Sequence, residues 1–250
     1  MKQIINTERG VFQYNFQVIY EGVKVMNQEI GRDNLLIFKR LADKAGLRFS
    51  LAYGTLLGAI REHGFIPHDE DIDLAILQED IEIFKNLLWD LREEGFEVMR
   101  FDRRNSLCSI IRKGEYIDIY IFRRLCNGVR EFNGEAILEK YLIDLEEIVF
   151  QDSIFLVAKE AEDFCLFEYG ENWQTPIVLK PYNKAWYQKK MSQLFWWLHF
   201  NLPSFLFDLW MQRKGEEKIQ AYNLKVKRYN KNAGNHIYDT IPKGIYSVGN

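Results

Sequence analysis

The alternation of apolar and polar positions is sharpest from Asp71 to Leu77 (Asp-Ile-Asp-Leu-Ala-Ile-Leu), where period two predicts a strand. Helical and strand-like stretches interleave around it. Leu36, Ile37, Leu41 and Ala45 recur at helical spacing, which predicts a helix from Asp33, a capping residue, to Gly46, suited to the position after a helix end. Leu47–Tyr53 reads as a short strand, Thr55–Glu62 as a helix, and Gly64–His68 as a loop closed by Pro67. Gln78–Glu94 is amphipathic with helical period and stops at Gly95; Phe96–Phe101, Ser106–Arg112 and Glu115–Phe122 follow as strands. Helices are also expected over 11–28, 134–150 and 159–169, the last stopped by Gly170. This interleaving predicts an α/β (α+β) sheet flanked by helices and not a sandwich.

After Trp173 the texture changes. Pro176 and Pro181 bracket a connector, and Leu194–Met211 holds 13 apolar residues in 18, many of them aromatic. The last thirty residues, rich in Tyr, Asn, Lys and Gly, show no clear period. The division expected is a catalytic domain over 1–180 and a helical, aromatic-rich extension over 181–250. Charge divides the same way: 1–180 carries 22 basic and 32 acidic side chains, net −10, and 181–250 carries 11 and 4, net +7. Lys189 to Lys214 has basic flanks, but Pro203, His199, Asn201 and Asp208 make it a poor membrane span. It fits either a core or dimer-forming helix pair broken at Pro203, or peripheral contact with a membrane interface.

Composition narrows the function classes. The whole chain has net charge −3 over 250 residues, which argues against a general nucleic-acid binder. Cys108, Cys126 and Cys165 form no C-x-x-C pair, so neither a zinc knuckle nor a disulfide framework is expected. No apolar leader is visible at the N-terminus, so a reduced, cytoplasmic protein is expected, at the inner face of the membrane if the aromatic segment docks there.

The chemistry concentrates in two motifs: Tyr53-Gly-Thr-Leu-Leu-Gly-Ala-Ile-Arg61, then Ile66-Pro-His-Asp-Glu-Asp-Ile-Asp73. On a strand, Asp71 and Asp73 share a face, while Ile72, Leu74 and Ile76 take the other. Two adjacent carboxylates repel, raising the pKa of at least one, unless a cation lies between them. Hard oxygen ligands point to Mg²⁺ or Mn²⁺. Asp118, flanked by Ile117, Ile119 and Ile121 in a strand, is costly if buried alone and would complete the cluster. Gly54 and Gly58 permit close backbone approach to a ligand. Thr55 can cap the following helix and offer its hydroxyl to a diphosphate at the helix N-terminus. Arg61, with Arg112 or Lys113, can neutralise phosphate charge.

The order G-T-L-L-G-x-x-R, G-x-I-P-x-D-x-D-x-D, a strand with I-D-I, and finally Tyr169-Gly-Glu-Asn-Trp173 before Pro176 resembles the LicD/fukutin family of the nucleotidyltransferase superfamily. The resemblance runs from about Leu47 to Pro176. It implies a nucleotidyltransferase-like mixed sheet carrying three metal-binding carboxylates, and a CDP-linked donor. The group transferred would be phosphocholine, ribitol phosphate or a similar phospho-alcohol, and the acceptor a hydroxyl of a cell-surface glycan or its lipid-linked precursor. Asp71 and Asp73 would bind metal and donor diphosphate. Asp118 would be the third ligand or the base for the acceptor proton. Gly54, Thr55, Gly58 and Arg61 would lie along the donor, with Asp69 beside the ligand. His68 stands where the family commonly has Trp, and there it either shapes the donor or acceptor site or simply caps the loop. The alternative activity is nucleotidyl transfer to a small molecule or protein, served by the same carboxylates. A glycosidase is a poorer fit, since one Asp-x-Asp on one strand does not straddle a sugar ring.

Overall fold

The computed structural model describes residues 1–19, 24–177, 185–232 and 238–242. In chain order the elements are β1 (Lys2–Thr7), β2 (Gly10–Asn15), α1 (Gln28–Ala45), β3 (Ser50–Leu51), α2 (Tyr53–Arg61), β4 (Ile72–Leu77), α3 (Ile81–Glu93), β5 (Glu97–Phe101) and β6 (Leu107–Arg112). There follow β7 (Glu115–Cys126), β8 (Val129–Phe132), β9 (Glu135–Leu138), α4 (Lys140–Ile143), β10 (Leu145–Phe150), β11 (Ser153–Ala158), α5 (Ala161–Tyr169), α6 (Trp186–Asn201) and α7 (Ser204–Asn232).

The main sheet has seven strands in the order β3-β4-β7-β6-β5, with β8 and β9 continuing from the far half of β7. β4 and β7 run parallel, and the other pairs are antiparallel. The fold is therefore mixed α/β, as the interleaved pattern predicts. One face is apolar: Ile72, Leu74 and Ile76 of β4 and Ile117, Ile119 and Ile121 of β7 are buried. They share a core with Leu35, Phe38 and Leu41 of α1 and Phe84, Leu87 and Leu91 of α3. The alternation that buries these isoleucines turns Asp73, Asp118 and Tyr120 to the opposite face.

Several expectations are corrected. The segment 11–28 holds β2, not a helix: Phe12 and Tyr14 are buried while Val11, Gln13 and Asn15 are exposed, the period-two signature of a strand. Residues 20–23 of that expectation lie outside the described residues. Helix α1 starts before Asp33, because Asn27 caps it, its Oδ1 accepting from the Ile30 N–H at 3.2 Å. Gly46 does close it, in the left-handed region at φ 71°. The helix expected over 134–150 is β9, the single turn α4, and β10, which pairs with β11.

The C-terminal helices lie against the polar face. Pro203 separates α6 from α7. Arg103, on the β5–β6 connection, donates from Nη1 to the carbonyls of His199 (3.1 Å) and Leu202 (2.8 Å), satisfying the open end of α6. Of the last thirty residues, 221–232 complete α7, where Tyr222, Val226 and Tyr229 are buried at three- and four-residue spacing, continuing Phe207, Met211, Gly215 and Ile219 earlier in the helix. A Cβ on Gly134 would meet the Gly215 Cα at 2.7 Å, so α7 crosses the β8–β9 turn with backbone nearly against backbone. Asp163 of α5 binds α7 to the body through the Tyr229 hydroxyl, together with Lys140 (2.9 Å) and Tyr141 (2.7 Å). Pro181 and residues 233–237 and 243–250 lie outside the described residues. Among the described residues no helix is long and apolar enough to cross a membrane.

Candidate active site

Register, not sequence proximity, assembles the site. Asp73 is directly paired with Asp118 across β4 and β7, Asp118 with Ser109 across β7 and β6, and Ser109 with Arg100 across β6 and β5. Four polar side chains thus form a transverse row over four adjacent strands. Arg100 Nη2 meets Asp118 Oδ2 at 2.8 Å, and its Nε meets Ser109 Oγ at 2.7 Å. Ser109 donates its hydroxyl to Asp118 Oδ1. Each of the three is buried. A buried carboxylate without such partners would carry a desolvation cost of several kcal/mol.

Asp73, only 6% exposed, is held from two sides. The Gly54 N–H donates to its Oδ2 at 2.8 Å, and the Tyr120 hydroxyl to its Oδ1 at 3.0 Å. Burial, reinforced by the charges of Asp69 and Asp118 and offset by these hydrogen bonds, pushes its carboxyl up to about 8. Asp71, half-buried just before β4, is also raised well above the carboxylate range by burial and by Asp73 and Asp118. Asp69 is raised by burial. A Cβ on Gly54 would stand 2.7 Å from Asp69 Oδ2 and 3.1 Å from Asp73 Oδ2, so Gly54 allows the backbone to close on both carboxylates.

The structure brings Gly54, Asp69, Asp71, Asp73 and Asp118 together. Other expected residues serve differently. Thr55 does not cap the helix: it is buried, and its Oγ1 accepts from the Asp73 N–H at 2.8 Å, fixing the strand that carries the aspartates. Gly58 permits packing, since a Cβ there would meet the Gly64 carbonyl at 2.6 Å. Arg61 donates to the Trp173 carbonyl at 2.9 Å and pairs with Glu62, which joins the two ends of the motif instead of pointing at a phosphate. Arg112 is engaged by Asn34 and the Glu94 carbonyl, and Lys113 lies in the β6–β7 turn. His68 is exposed on its loop.

The polar face opens into a cavity of about 470 Å³. Tyr53, Arg100, Asp118 and Tyr120 form its floor, and Trp196, His199 and Lys214 of α6 and α7 lie on the other side. The sequence reading missed Arg100, Tyr120 and this C-terminal wall. Tyr53, at a positive φ of 36°, holds its ring against Tyr120 at 4.9 Å, building an aromatic wall. Burial with Arg103 and Lys214 nearby pushes His199 down to about 4, which leaves its Nε2 free to accept from the Arg103 N–H at 3.3 Å.

Asp71 and Asp73 suit a hard divalent cation: the donors are oxygens, no ion pair joins them to a basic side chain among the described residues, and burial with mutual repulsion raises both pKa values. Asp118 is already tied to Arg100 and Ser109, and among the described residues no group of three His, Cys, Asp or Glu side chains is arranged as a metal site. A cation would thus rest first on Asp71 and Asp73.

Residues 46–124, which span α2, β4 and all four strands of the polar row, match the LicD/FKTN/FKRP nucleotidyltransferase domain. Over this stretch the chain is similar to the LicD/fukutin family. It is 34% identical over 61 residues to the lipopolysaccharide cholinephosphotransferase LicD of Haemophilus influenzae, covering 24% of this chain and 23% of that protein. It is 31% identical over 84 residues to an uncharacterized Rickettsia typhi protein, covering 34% of this chain and 26% of the relative. The alignments to these curated relatives span about a quarter of the relatives' length. The solved structure of antibiotic-resistance factor ANT(2'')-Ia aligns with a TM-score of 0.43 at 15% identity, over 84% of this chain and 100% of that one.

Proposed function

We propose that this LicD-like chain is a metal-dependent transferase that moves a phospho-alcohol from a CDP-linked donor to a hydroxyl of a glycan or lipid-linked glycan. The observation that carries the reading is the register pairing of Asp73 with Asp118 beside Asp71, inside the LicD-matched segment and next to an aromatic cavity. The cholinephosphotransferase activity named for the Haemophilus relative supports the transferred group.

Asp71 and Asp73 would hold Mg²⁺ or Mn²⁺, which supplies charge neutralisation to the transferring phosphoryl group. Gly54 fixes Asp73 through its amide, and Thr55 fixes the strand beneath it. Asp118, held by Arg100 and Ser109, would accept a hydrogen bond from an attacking hydroxyl. Tyr53, Tyr120 and Trp196 offer ring faces to a pyrimidine or an alkylammonium, and Lys214 offers a cation to phosphate. Catalysis is then mainly positioning and electrostatic stabilisation.

Calorimetric titration with CDP-choline, CDP-ribitol and CDP-glycerol, with and without Mn²⁺, tests this. One donor binds in a metal-dependent manner to the wild type and fails with Asp73→Asn. Binding of a nucleoside triphosphate and none of the three would overturn the reading in favour of nucleotidyl transfer.

A further inference from the structure

Helices α6 and α7 have two apolar faces, and the site uses only one. Trp196 and His199 of α6 and Met211 and Lys214 of α7 line the same cavity, so the opposite sides of both helices look away from it together. That outer side is not polar. Trp186, Met191, Leu194 and Trp197 on α6 and Phe205 and Leu209 on α7 are each between 51% and 71% exposed. Met191, Leu194 and Trp197 recur three apart and Phe205 and Leu209 four apart, an exposed aromatic and aliphatic surface of a kind that marks an interaction site.

Its charge selects the partner. From Trp186 to Arg213 the basic residues are Lys189, Lys190 and Arg213, against Asp208 as the one acidic residue, and Lys214 faces the cavity. Lys189 and Lys190 near the start of α6 and Arg213 in the third turn of α7 flank the run Met191–Leu209 in sequence. Lys190 lies 5.3 Å from the Trp186 ring, a pairing suited to a headgroup region. The remainder of the chain is acidic, so net attraction to an anionic surface is confined to this end. Neither helix is long and apolar enough to span a bilayer, which leaves lying in its surface.

We propose that the outer face of α6 and the first turns of α7 docks on an anionic lipid surface. Docking there sets the inner face of the same helices, the wall of the cavity, directly beneath the membrane. The proposal stands whether or not the transferred group is the one proposed above.

The test is co-sedimentation of the full chain with vesicles of phosphatidylglycerol and phosphatidylethanolamine, against phosphatidylcholine vesicles, with analytical ultracentrifugation of the protein alone. The expected result is binding to the anionic vesicles only, weakened by salt. Trp197→Glu with Phe205→Glu lowers it at least tenfold, and Lys190→Glu with Arg213→Glu does likewise, with melting temperatures unchanged since all four side chains are outside the core. Absence of binding, or equal binding to neutral vesicles, overturns the proposal. So does a dimer in ultracentrifugation that Trp197→Glu dissociates while wild-type protein ignores vesicles; the face would then meet a second copy of the chain.

Discussion

Asp73 touches a glycine amide and a tyrosine hydroxyl, and feels the charges of Asp69 and Asp118. An unfolded Asp titrates near ~3.9, whereas this one is pushed up to about 8. Between those values the folded chain holds a proton that the unfolded chain has released, so stability falls as pH rises through that window. Asp73→Asn is expected to melt higher than wild type at pH 8 and equally at pH 4, measured by scanning calorimetry, while metal-dependent donor turnover disappears. Retained turnover with the same metal dependence would remove Asp73 from the site. At the other end of the row, Arg100→Ala leaves the buried Asp118 without its charge partner and is expected to cost about 3–5 kcal/mol in urea unfolding. Arg100→Met combined with Asp118→Leu recovers most of it, because neither charge is then buried alone. The two aspartates of β4 were legible because period two puts them on one face. Arg100 carried a fainter signal, a cation between Met99 and Phe101 in an apolar strand, but its partner depends on strand order and register, which local sequence does not encode.

At the scale of elements, α7 is the instructive case. Its buried positions repeat at helical spacing, yet Lys225, Lys227 and Arg228 interrupt the run and make it resemble a solvated tail. Tyr222, Val226 and Tyr229 pack on Phe167 and the rest of the core, so the helix is held by tertiary contact more than by its own composition. The hairpin β1–β2 was missed for a related reason: its alternation spans too few residues to dominate a window that runs on to residue 28. Gly134→Ala tests how α7 is seated. The position has φ of +86° and its new methyl would fall 2.7 Å from the Gly215 Cα, so the turn and α7 must separate. A loss of more than about 1 kcal/mol is expected, with increased protease cleavage in α7. The Asp163 contact has its own pH signature. Burial raises that carboxyl, but the bonds from Tyr229, Lys140 and Tyr141 outweigh it and hold it below the usual value. Its contribution is therefore present at neutral pH and lost on acidification through the folded value.

Across the whole molecule, charge and topology divide the labour. The acidic body supplies the carboxylate face and the basic end supplies its cover. Among the described residues, the sheet joins Asp73 to Asp118 only through β4 and β7, a parallel pair with α3, β5 and β6 between them in the chain. Such a pairing closes a long loop and forms late, since the chain entropy is spent before the contact rewards it. In refolding, therefore, the paired carboxylates of the site do not exist until β7 docks on β4. A cation that rests on Asp71 and Asp73 is expected to slow unfolding several-fold in stopped-flow denaturant jumps while leaving the refolding rate unchanged. Accelerated refolding would mean that the aspartates gather the ion before the sheet closes. A ribosome-bound chain that has not yet emitted β7 accordingly lacks the Asp73–Asp118 pair, and the polar row closes only when that crossover strand docks.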